Sequence, residues 1–504
     1  MVMLRQAVLT LGFMAIGCVE WGSTATVGTL TDDTSVGDGA SPVEPSDPSD
    51  PTPDPTDTPS EPSVAFSEEQ CEFYVASEER GDGSAESWSH ATPYLRQAMD
   101  AGHSNYLAGR CEQVLVNVGA GLFFPHPSDR TKSFPIFGGL TIRGGCLEDE
   151  ANTSDPAAVL TILAGGMGGG GPQSYHVLRG SGTGSDEVRI DGVTIQEGQA
   201  DGENEDARGA GIFAEQLIVN LSDVIVRDNY ALDRGGGLFL DGGQLVEGRV
   251  EWLENSTAGF GGALFASSAR AYPYFATYVG NSALRGGAVY IQNTLDWFFQ
   301  RTDFQDNDAT LGGAIYAEAG EEVKVCRTKI LGNRATRGGA LYLERVSEVS
   351  VASTVFTHNQ ASEGASLYTQ DIGVLDLSQL TLFENSDAGF ANVVVKGVQA
   401  WTIHNSVLWR NGTELESDIL PALEYNLLDD SLGTQGTNLS EDPRFLAPYS
   451  EAPESWDLGV RADSALIDAG NDALIRTDFC NQDVDAGTRS VGGAVDIGAY
   501  EYTP

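Results

Sequence analysis

Positive charge is scarce in this sequence. Its 504 residues include 28 Lys and Arg against 73 Asp and Glu, which gives a formal net charge of −45 at pH 7. A surface this acidic repels nucleic-acid phosphates and anionic lipid head groups. The composition therefore excludes nucleic acid as a partner and excludes membrane binding through charge. It suits divalent cations or a neutral partner, and it also provides solubility alone.

Cysteine is rare, and its spacing is not that of a metal site. The six cysteines include no Cys-x-x-Cys pair and have no His-rich stretch beside them, so we expect no zinc site. Setting Cys18 aside leaves an odd number, so at least one thiol stays unpaired. Cys71, Cys111 and Cys146 cluster ahead of the repeats, where a bridge between two of them would fasten an N-terminal cap.

Residues 1–17 have the pattern of a signal peptide. Arg5 is the only early charge, and the run from Ala7 to Ile16 is mainly apolar but too short for a stable transmembrane helix. The run ends in the letters AIGC, which resemble a bacterial lipobox, where cleavage precedes a cysteine that carries a diacylglycerol. The resemblance implies a lipid on Cys18, which would make the membrane a partner. Ordinary secretion after cleavage nearby is the alternative.

The residues after Cys18 suggest how the protein would be displayed. Val19 replaces the Asp that commonly retains such lipoproteins in the inner membrane, so the resemblance implies the outer membrane. From Val19 to Gln70 there is no Lys or Arg, and the core of this stretch is rich in Pro, Asp, Ser and Thr. Such a composition cannot bury enough apolar area to fold. We predict that residues 18–70 form a disordered, extended stalk.

A period of 26 residues dominates the middle of the chain. An asparagine recurs at this spacing without exception: Asn229, Asn255, Asn281, Asn307, Asn333, Asn359, Asn385 and Asn411. An apolar residue stands three positions before each of them: Val226, Trp252, Tyr278, Phe304, Ile330, Phe356, Leu382 and Leu408. A Gly-rich turn and a short β-type run follow, as in the GGAIY that begins at Gly312. A fixed period of this size indicates stacked units, each of which buries its core against its neighbours.

The texture of each unit is that of a β-coil. Val, Ile, Phe, Tyr and Thr alternate in short runs, Gly punctuates each unit, and no stretch has helical periodicity with caps. We predict an all-β fold in which residues 71–445 form a right-handed parallel β-helix, a pectate-lyase-like solenoid. A short helix over residues 94–99 would cap its first coil, and residues 446–504 would close it. Stacking would align the asparagines into a structural amide ladder.

An acidic insertion interrupts the first coil that has this pattern. Residues 195–200 match the repeat with Gly198 in the asparagine position, 31 residues before Asn229. The extra residues include four acids: Asp201, Glu203, Glu205 and Asp206. Clustered oxygens are what Ca²⁺ prefers, so these side chains are candidate calcium ligands. They lack the alternation of a defined calcium loop, and a solvated loop is the competing interpretation.

Two resemblances follow from these motifs. The pairing of Phe304-Gln-Asp-Asn307 with Gly312-Gly313-Ala314-Ile315 resembles the repeat of polymorphic outer-membrane proteins over roughly residues 190–415. The ends of the chain resemble bacterial β-helix proteins of the choice-of-anchor Q group, through DPRF from Asp442, SALIDAG from Ser464 and DIGAYE from Asp496. The first resemblance implies an adhesin-like role. The second implies a β-helix attached to a surface, without a defined chemistry.

Candidate ligand-binding residues lie in columns that recur from coil to coil. The position before each Gly turn holds four arginines: Arg208, Arg234, Arg285 and Arg337. These arginines either pair with the acids that precede several of the asparagines, such as Asp228, Glu254 and Asp306, or bind acidic sugars. A second column is aromatic: Phe213, Phe239, Phe265, Tyr290, Tyr316, Tyr342 and Tyr368. Facing inward it would be a core stack, which we favour, and facing outward it would be a platform for sugar rings.

No catalytic signature stands out. The Asn-Thr-Asp and Arg-Ile-Lys motifs of polygalacturonases are absent, and the pair Asp429 and Asp430 is more typical of a turn. We therefore predict a lipid-anchored or extracellular surface protein of adhesin-like or structural role, whose partner is a carbohydrate or another surface protein. A polysaccharide lyase or glycoside hydrolase acting on acidic polysaccharide is the alternative. An outward groove that combines arginines, carboxylates and aromatic rings on neighbouring coils would favour the enzyme.

Overall fold

The computed structural model describes residue 64 and residues 66–149, 153–166, 173–387, 391–429, 436–448 and 457–504. The predicted signal peptide, the predicted lipid-attachment residue Cys18, nearly all of the predicted stalk and Asp430 lie outside these described residues. Among the described residues, no helix is long and apolar enough to cross a membrane.

A cap precedes the coils. It contains the strand Glu72–Val75, a 3-10 turn at Trp88–His90 and helix α1, Leu95–Leu107. The helix predicted over residues 94–99 is present and extends further toward the C-terminus. Its buried residues pack into the end of the core, and a disulfide between Cys71 and Cys111 fastens the chain on either side of it. Cys146 is the free, buried thiol that the odd cysteine count required.

Two parallel sheets wind through the coils. Within the described residues the long sheet has 19 strands. They are Glu72–Val75, Val114–Val118, Phe134–Ile136, Leu140–Arg143, Leu178–Asp191, Ile212–Ser222, Leu238–Gly248, Leu264–Ser267, Arg270–Tyr274, Val289–Thr294, Trp297–Gln300, Ile315–Cys326, Leu341–Ala352, Leu367–Gln370, Val374–Ser378, Ala391–Lys396, Ala400–His404, Thr413–Ser417 and Ala422–Glu424. The second sheet has 12 strands. They are Gly121–Phe123, Thr161–Ala164, Thr194–Gln196, Ile225–Arg227, Glu251–Leu253, Thr277–Val279, Asp303–Gln305, Lys329–Leu331, Val355–Thr357, Thr381–Phe383, Val407–Trp409 and Leu427–Leu428.

Shorter elements complete the fold. Two-residue strands pair in parallel at a third side of the coils: Gln199–Ala200, Tyr230–Ala231, Ser256–Thr257, Gln360–Ala361 and Ser386–Asp387. Near the C-terminus Phe445–Ala447 pairs antiparallel with Asp457–Val460. Two further 3-10 turns lie at Asn204–Ala207 and Asp472–Leu474.

Neighbouring coils pair with the register that the 26-residue period predicts. Val226 pairs with Trp252, Trp252 with Tyr278, and Tyr278 with Phe304. The rings of Trp252 and Tyr278 stack with centroids 5.8 Å apart, and those of Tyr278 and Phe304 are 4.9 Å apart. These side chains are fully buried in the main core. The parallel β-helix is therefore confirmed, and the apolar column before each asparagine lines its interior.

The asparagines form the predicted ladder. Asn281 Nδ2 donates to Oδ1 of Asn307 at 3.0 Å and to the carbonyl of Trp252 at 2.9 Å. The backbone N–H of Asn281 donates to the same Oδ1 at 2.9 Å. A separate pair of stacked amides, Asn426 and Asn438, lies in the column of Ser406, at the other end of the second-sheet strand. Because these buried side chains find hydrogen-bond partners on the neighbouring coils, the column is structural.

One carboxyl group lies inside the solenoid. Glu247 occupies an inward position of its strand, in register with the buried residues Leu221 and Pro273, and is 3% exposed. Trp252 Nε1 donates to its Oε1 at 2.9 Å, and the Tyr278 hydroxyl donates at 3.1 Å. Burial outweighs these donors and raises the pKa of Glu247 to about 8. The carboxyl is therefore mainly protonated at neutral pH.

The C-terminal segment, residues 457–504, lies along the flank of the solenoid. Its buried apolar residues, such as Leu466 and Ile497, pack against outward side chains of the second sheet, including Val355 and Val407. A disulfide joins Cys480 to Cys326. The stack continues through residues 436–439, within the predicted β-helix, and residues 457–504 of the predicted closing segment cover a side of it.

Buried polar groups fasten this segment. The guanidinium of Arg489 donates to Ser353 Oγ at 2.9 Å and to the carbonyls of Gly498 and Ala499 at 3.1 and 2.9 Å. Glu501 accepts a hydrogen bond from the backbone N–H of Asp496 at 3.1 Å. The DIGAYE motif of the sequence thus has a structural role.

Candidate functional site

The predicted calcium loop is engaged by arginines. Its four acids lie around the 3-10 turn Asn204–Ala207: Asp201, Glu203, Glu205 and Asp206. Asp201 pairs with Arg130, and Glu205 and Asp206 both pair with Arg179. The described residues contain no group of three or more His, Cys, Asp or Glu side chains that could hold a metal ion. The loop is therefore an ion-paired surface feature, and the calcium prediction is corrected.

The arginines of the predicted row pair with acids at the same corner of the coils. Arg208 Nε lies 2.8 Å and Arg234 Nε 3.5 Å from Asp233 Oδ2, and Arg337 Nε lies 3.1 Å from Glu363 Oε2. Among the described residues, none of the four arginines pairs with an acid of the column that precedes the asparagines. The predicted partner column was wrong, because that column lies at a different corner of the coil.

The aromatic column faces outward yet is buried. Phe239 projects from the long sheet between the inward residues Leu238 and Leu240, and the seven rings form a cluster separate from the main core. Tyr316 and Tyr342, for example, stack with centroids 4.9 Å apart and are 1% and 4% exposed. The prediction of an inward core stack is therefore wrong, because the column has the opposite parity to the core residues. An open platform is also absent, since the rings are covered.

Charged side chains provide that cover. The guanidiniums of Arg179 and Arg234 lie 4.9 Å and 5.0 Å from the ring centroids of Phe213 and Phe265. Arg285, the fourth arginine of the row, lies 5.5 Å from the Tyr316 ring centroid. Arginine over an aromatic face is stabilising when partly desolvated. The guanidiniums of the arginine row thus cover the aromatic column, and they have little capacity left to bind a ligand.

Acidic residues cover the other side of the aromatic column. The Tyr290 hydroxyl donates to Glu318 Oε2 at 2.5 Å, and the Tyr342 hydroxyl donates to Glu344 Oε2 at 3.4 Å. Burial, with the nearby negative charge of Glu344, raises the pKa of Tyr342 to about 12. The tyrosines remain neutral hydrogen-bond donors across the physiological range.

A different group of charged side chains lies near the end of the repeats, at the position that directly precedes each asparagine. His358, Glu384 and Arg410 occupy this position on three consecutive coils. His358 Nε2 and Arg410 Nη1 each lie 3.7 Å from a carboxylate oxygen of Glu384. Burial lowers the pKa of His358 below its usual value, so the imidazole is mainly neutral at pH 7. All three residues have left-handed backbone conformations, which turn their side chains out from the corner of the coil.

Arg410 lies where two cavities meet. One cavity of about 420 Å³ is lined by His358, Glu384 and Arg410. The other, of about 470 Å³, lies between the second sheet and the chain beyond it and is lined by Arg410, Trp409, Arg444 and Arg461 among others. We call the six residues the Arg410 groove: His358, Glu384, Trp409, Arg410, Arg444 and Arg461.

Three acids stand beside the three arginines of the Arg410 groove. Arg444 pairs with Asp463, Arg410 lies near Glu384, and Asp442 is in the lining of the second cavity. Arg461 makes no ion pair with any described residue. Arginine binds carboxylates through two parallel hydrogen bonds, and an aromatic ring such as Trp409 provides a flat apolar surface. The groove can therefore bind an anionic ligand that also has an apolar face.

Two further cavities lie near the cap. The larger, of about 740 Å³, is lined by Tyr74 and Trp88 and by the ion pair of Arg80 with Glu148. The other, of about 500 Å³, lies between α1 and the long sheet, and its lining includes Arg179, whose charge Glu205 and Asp206 already balance. Neither cavity is lined by three arginines and a partly exposed tryptophan ring, as the second cavity at Arg410 is.

Sequence reasoning did not select the groove. His358, Glu384 and Arg410 were visible as the end of a column, where acids and glycines give way to His, Glu and Arg on successive coils. Arg444 stands in the DPRF motif, which we assigned to architecture. Its approach to Arg410 depends on how the chain returns after the last coil, and no periodicity encodes that return.

Comparison with known proteins yields a fold-level likeness. No protein-family model matches the chain, and no curated protein matches it. Among solved structures it is similar to the crystal structure of pectate lyase Pel9A, with 11% sequence identity and a TM-score of 0.41 over 88% of this chain and 97% of that chain. At this level the likeness concerns the winding of the chain and carries no information about a site.

Proposed function

We propose that the protein is a surface-displayed β-helix that binds an anionic polysaccharide at the Arg410 groove, in an adhesin-like or envelope-binding role. The observation that carries this proposal is the position of Arg410 between two cavities, with Arg444, Arg461 and Trp409 beside it. Uronate sugars offer the matching chemistry, since they carry a carboxylate on a ring that has an apolar face.

The rest of the molecule favours binding at one place. With a net charge of −45, most of the surface repels a polyanion. The arginines of the regular coils are already occupied by Asp233, Glu363 and aromatic rings. A polyanionic chain would therefore be directed to the groove, where Arg461 has no carboxylate partner among the described residues.

Display rests on the N-terminal sequence. We propose that Cys18 carries the lipid and that residues 18–70 hold the β-helix away from the outer membrane, as the resemblance to surface-attached β-helices of the choice-of-anchor Q group implies. Cys18→Ala is expected to move the protein from the membrane fraction to the soluble fraction of producing cells. Membrane retention of this variant would contradict the lipid anchor. Binding by purified protein tests the groove separately.

A second candidate function is catalysis on the same ligand. His358 is a mainly neutral imidazole 3.7 Å from Glu384 and near Arg410. Such a base beside an arginine could remove a proton next to a uronate carboxylate, as a lyase requires. This arrangement keeps a polysaccharide lyase as the alternative to pure binding.

One experiment separates the two functions. A glycan array with neutral and uronate-containing oligosaccharides is read alongside a turnover assay on acidic polysaccharides. We expect binding to uronate glycans that Arg410→Ala weakens, without release of product. Formation of unsaturated products that His358→Ala abolishes would establish the lyase instead. Equal binding by Arg410→Ala and the unaltered protein would reject the groove as the site.

A further inference from the structure

One carboxylate of the Arg410 groove lies between side chains of the two neighbouring coils. Glu384 Oε2 is 3.7 Å from His358 Nε2, and Glu384 Oε1 is 3.7 Å from Arg410 Nη1. The three residues occupy the same position on consecutive coils, which a parallel β-helix stacks about 4.8 Å apart. Both distances exceed that of a hydrogen bond, so the carboxylate is shared between His358 and Arg410 rather than held closely by either of them.

The imidazole of His358 is held with one nitrogen toward this carboxylate. Its Nδ1 lies 2.7 Å from the hydroxyl oxygen of Thr357, a buried residue of the second sheet. This hydrogen bond engages Nδ1 and leaves Nε2 as the nitrogen that faces Glu384. The side chains of His358 and Glu384 are 33% and 27% exposed, so a ligand in the cavity can reach both. The positive charge that His358 gains on protonation is therefore placed beside Glu384.

The charged groups near His358 belong to the coils on both sides of it: Asp306, Arg334, Glu384 and Arg410. Glu384 and Arg410 line the same cavity as His358. The equivalent position on the preceding coil is Gly332, which has no side chain, so Asp306 lies one coil further away. Arg334 is in register with Gln360, which also lines the cavity. Of the four groups, Glu384 is the one within ion-pair distance of His358.

Protonation of His358 changes how the charge of Glu384 is balanced. Burial lowers the pKa of His358 below the ordinary 6.5, and the charge of Glu384 opposes this shift. The imidazole is therefore neutral at pH 7 and becomes charged as the pH falls below 6.5. While His358 is neutral, Glu384 competes with an anionic ligand for Arg410. Once His358 is charged, it balances Glu384, and a ligand carboxylate meets less repulsion at Arg410.

We propose that His358 and Glu384 form a pH-dependent switch, through which the Arg410 groove binds an anionic glycan more tightly at mildly acidic pH than at neutral pH. This inference rests on the proposed function and adds the regulation of the same site. A sugar carboxylate stays ionised down to about pH 4. Between pH 6.5 and that value the ligand therefore keeps its charge while His358 gains one.

Thermodynamic linkage gives the switch a second signature. If protonation of His358 favours binding of the glycan, binding of the glycan must favour protonation of His358 to the same extent. A bound oligosaccharide should therefore raise the pKa of His358. This effect is measured on the unaltered protein and does not depend on any substitution.

The test measures the affinity of the folded protein for trigalacturonate by isothermal titration calorimetry from pH 7.5 to pH 5.0 at constant ionic strength. We expect the dissociation constant of the unaltered protein to fall about fivefold over this range. His358→Gln should remove this change, because an amide cannot gain the charge. Glu384→Gln should bind at pH 7.5 about as tightly as the unaltered protein does at pH 5.0, because the competing carboxylate is absent at every pH.

His103→Gln is the matched control. His103 lies in helix α1 of the cap, where its ring stacks on Phe137 with centroids 4.4 Å apart and burial likewise lowers its pKa. This variant should keep the pH dependence of the unaltered protein. It thereby separates the switch from the general loss of negative charge as the whole protein is acidified. NMR signals of the histidine rings, assigned with the help of His358→Gln, report the pKa of His358 with and without trigalacturonate.

The outcomes distinguish the switch from the binding site itself. Equal affinity at all pH values, an unchanged pH dependence in His358→Gln, or a pKa of His358 that trigalacturonate does not raise would overturn the switch. The groove remains the binding site in each of these cases if Arg410→Ala weakens binding. Absence of binding at every pH, or binding that Arg410→Ala does not alter, would reject the proposed function and the switch together.

Discussion

Two arginine-bearing surfaces of the solenoid differ in how their charges are balanced. In the regular coils Arg234 lies beside Asp233 and over the ring of Phe265. At the end of the repeats Arg410 faces two cavities, and its neighbour Arg461 has no ion-pair partner among the described residues. Where a coil is followed by a similar coil, each side chain meets a partner supplied by its neighbour.

The difference indicates where a ligand can bind in a repeat protein. Stacking at a fixed register brings like residues together, and a stable array must satisfy each of them along the column. Where the repeat changes, side chains of different chemistry meet instead. His358 and Arg410 replace the acids and glycines of their column, both lie near Glu384, and the Arg410 groove is formed there.

The largest effect in the regular coils is expected from the buried carboxyl of Glu247. Its pKa is raised from the ordinary 4.5 to about 8, so the stability associated with its protonated form is present below pH 4.5 and is lost as the pH rises to 8. We expect the free energy of unfolding to fall by on the order of 4 kcal/mol across this range because of Glu247. In Glu247→Gln this component should vanish.

Urea unfolding at several pH values measures the effect. Glu321→Gln removes an exposed acid from the same sheet and serves as the control, which should keep the pH dependence of the unaltered protein. An equally steep loss of stability in Glu247→Gln would show that the interior carboxyl is not its source.

The asparagine ladder should be the next most sensitive feature. Asn307→Ala removes the acceptor for the backbone N–H and Nδ2 of Asn281 and the donor to the carbonyl of Tyr278. Leaving such buried groups unsatisfied is expected to cost about 3 kcal/mol in the free energy of unfolding. Asn220→Ala, on the outer face of the long sheet, should cost less than about 1 kcal/mol. Similar losses for the two variants would mean that the ladder is no more than surface hydrogen bonding.

Most of the fold could be predicted from the sequence alone. The 26-residue period set the coil length, the register and the inward column of Trp252 and Tyr278, because stacking translates sequence spacing directly into contact. It did not determine the facing of the aromatic column. A one-residue change of parity places a ring outside, and Phe239 alternates with Leu238 and Leu240, all of which are apolar.

The candidate site was harder to predict for a physical reason. The approach of Arg444 and Arg461 to Arg410 depends on residues beyond the last repeat, and their path is determined by non-periodic contacts such as the buried Arg489 and the disulfide at Cys480. Composition also misled the calcium prediction. Four clustered acids suggest a cation site, but three of them are paired with arginines that are distant in sequence.

The two surfaces should also differ in how much their aromatic rings contribute to ligand affinity. Trp409 is partly exposed in the Arg410 groove, whereas Tyr342 is buried in the aromatic column. We expect Trp409→Ala to weaken binding of a uronate oligosaccharide about tenfold, or about 1.4 kcal/mol, because a stacking surface is lost. Tyr342→Leu should leave the affinity unchanged although it lowers the free energy of unfolding. Isothermal titration calorimetry measures the affinities, and an equal loss in both variants would deny the groove a special role.

The smallest effect is expected at the arginine row. Arg337 pairs with Glu363, but their side chains are 47% and 31% exposed, so Arg337→Ala should lower the free energy of unfolding by less than about 1 kcal/mol. It should also leave the affinity for uronate oligosaccharide unchanged, because this charge is already balanced by Glu363 of the next coil. Arg410→Ala is the matched comparison, since it removes the same side chain from the groove. Calorimetry on the two variants decides whether binding depends on the surroundings of an arginine or only on the number of arginines, since a loss of affinity shared by both would support number alone.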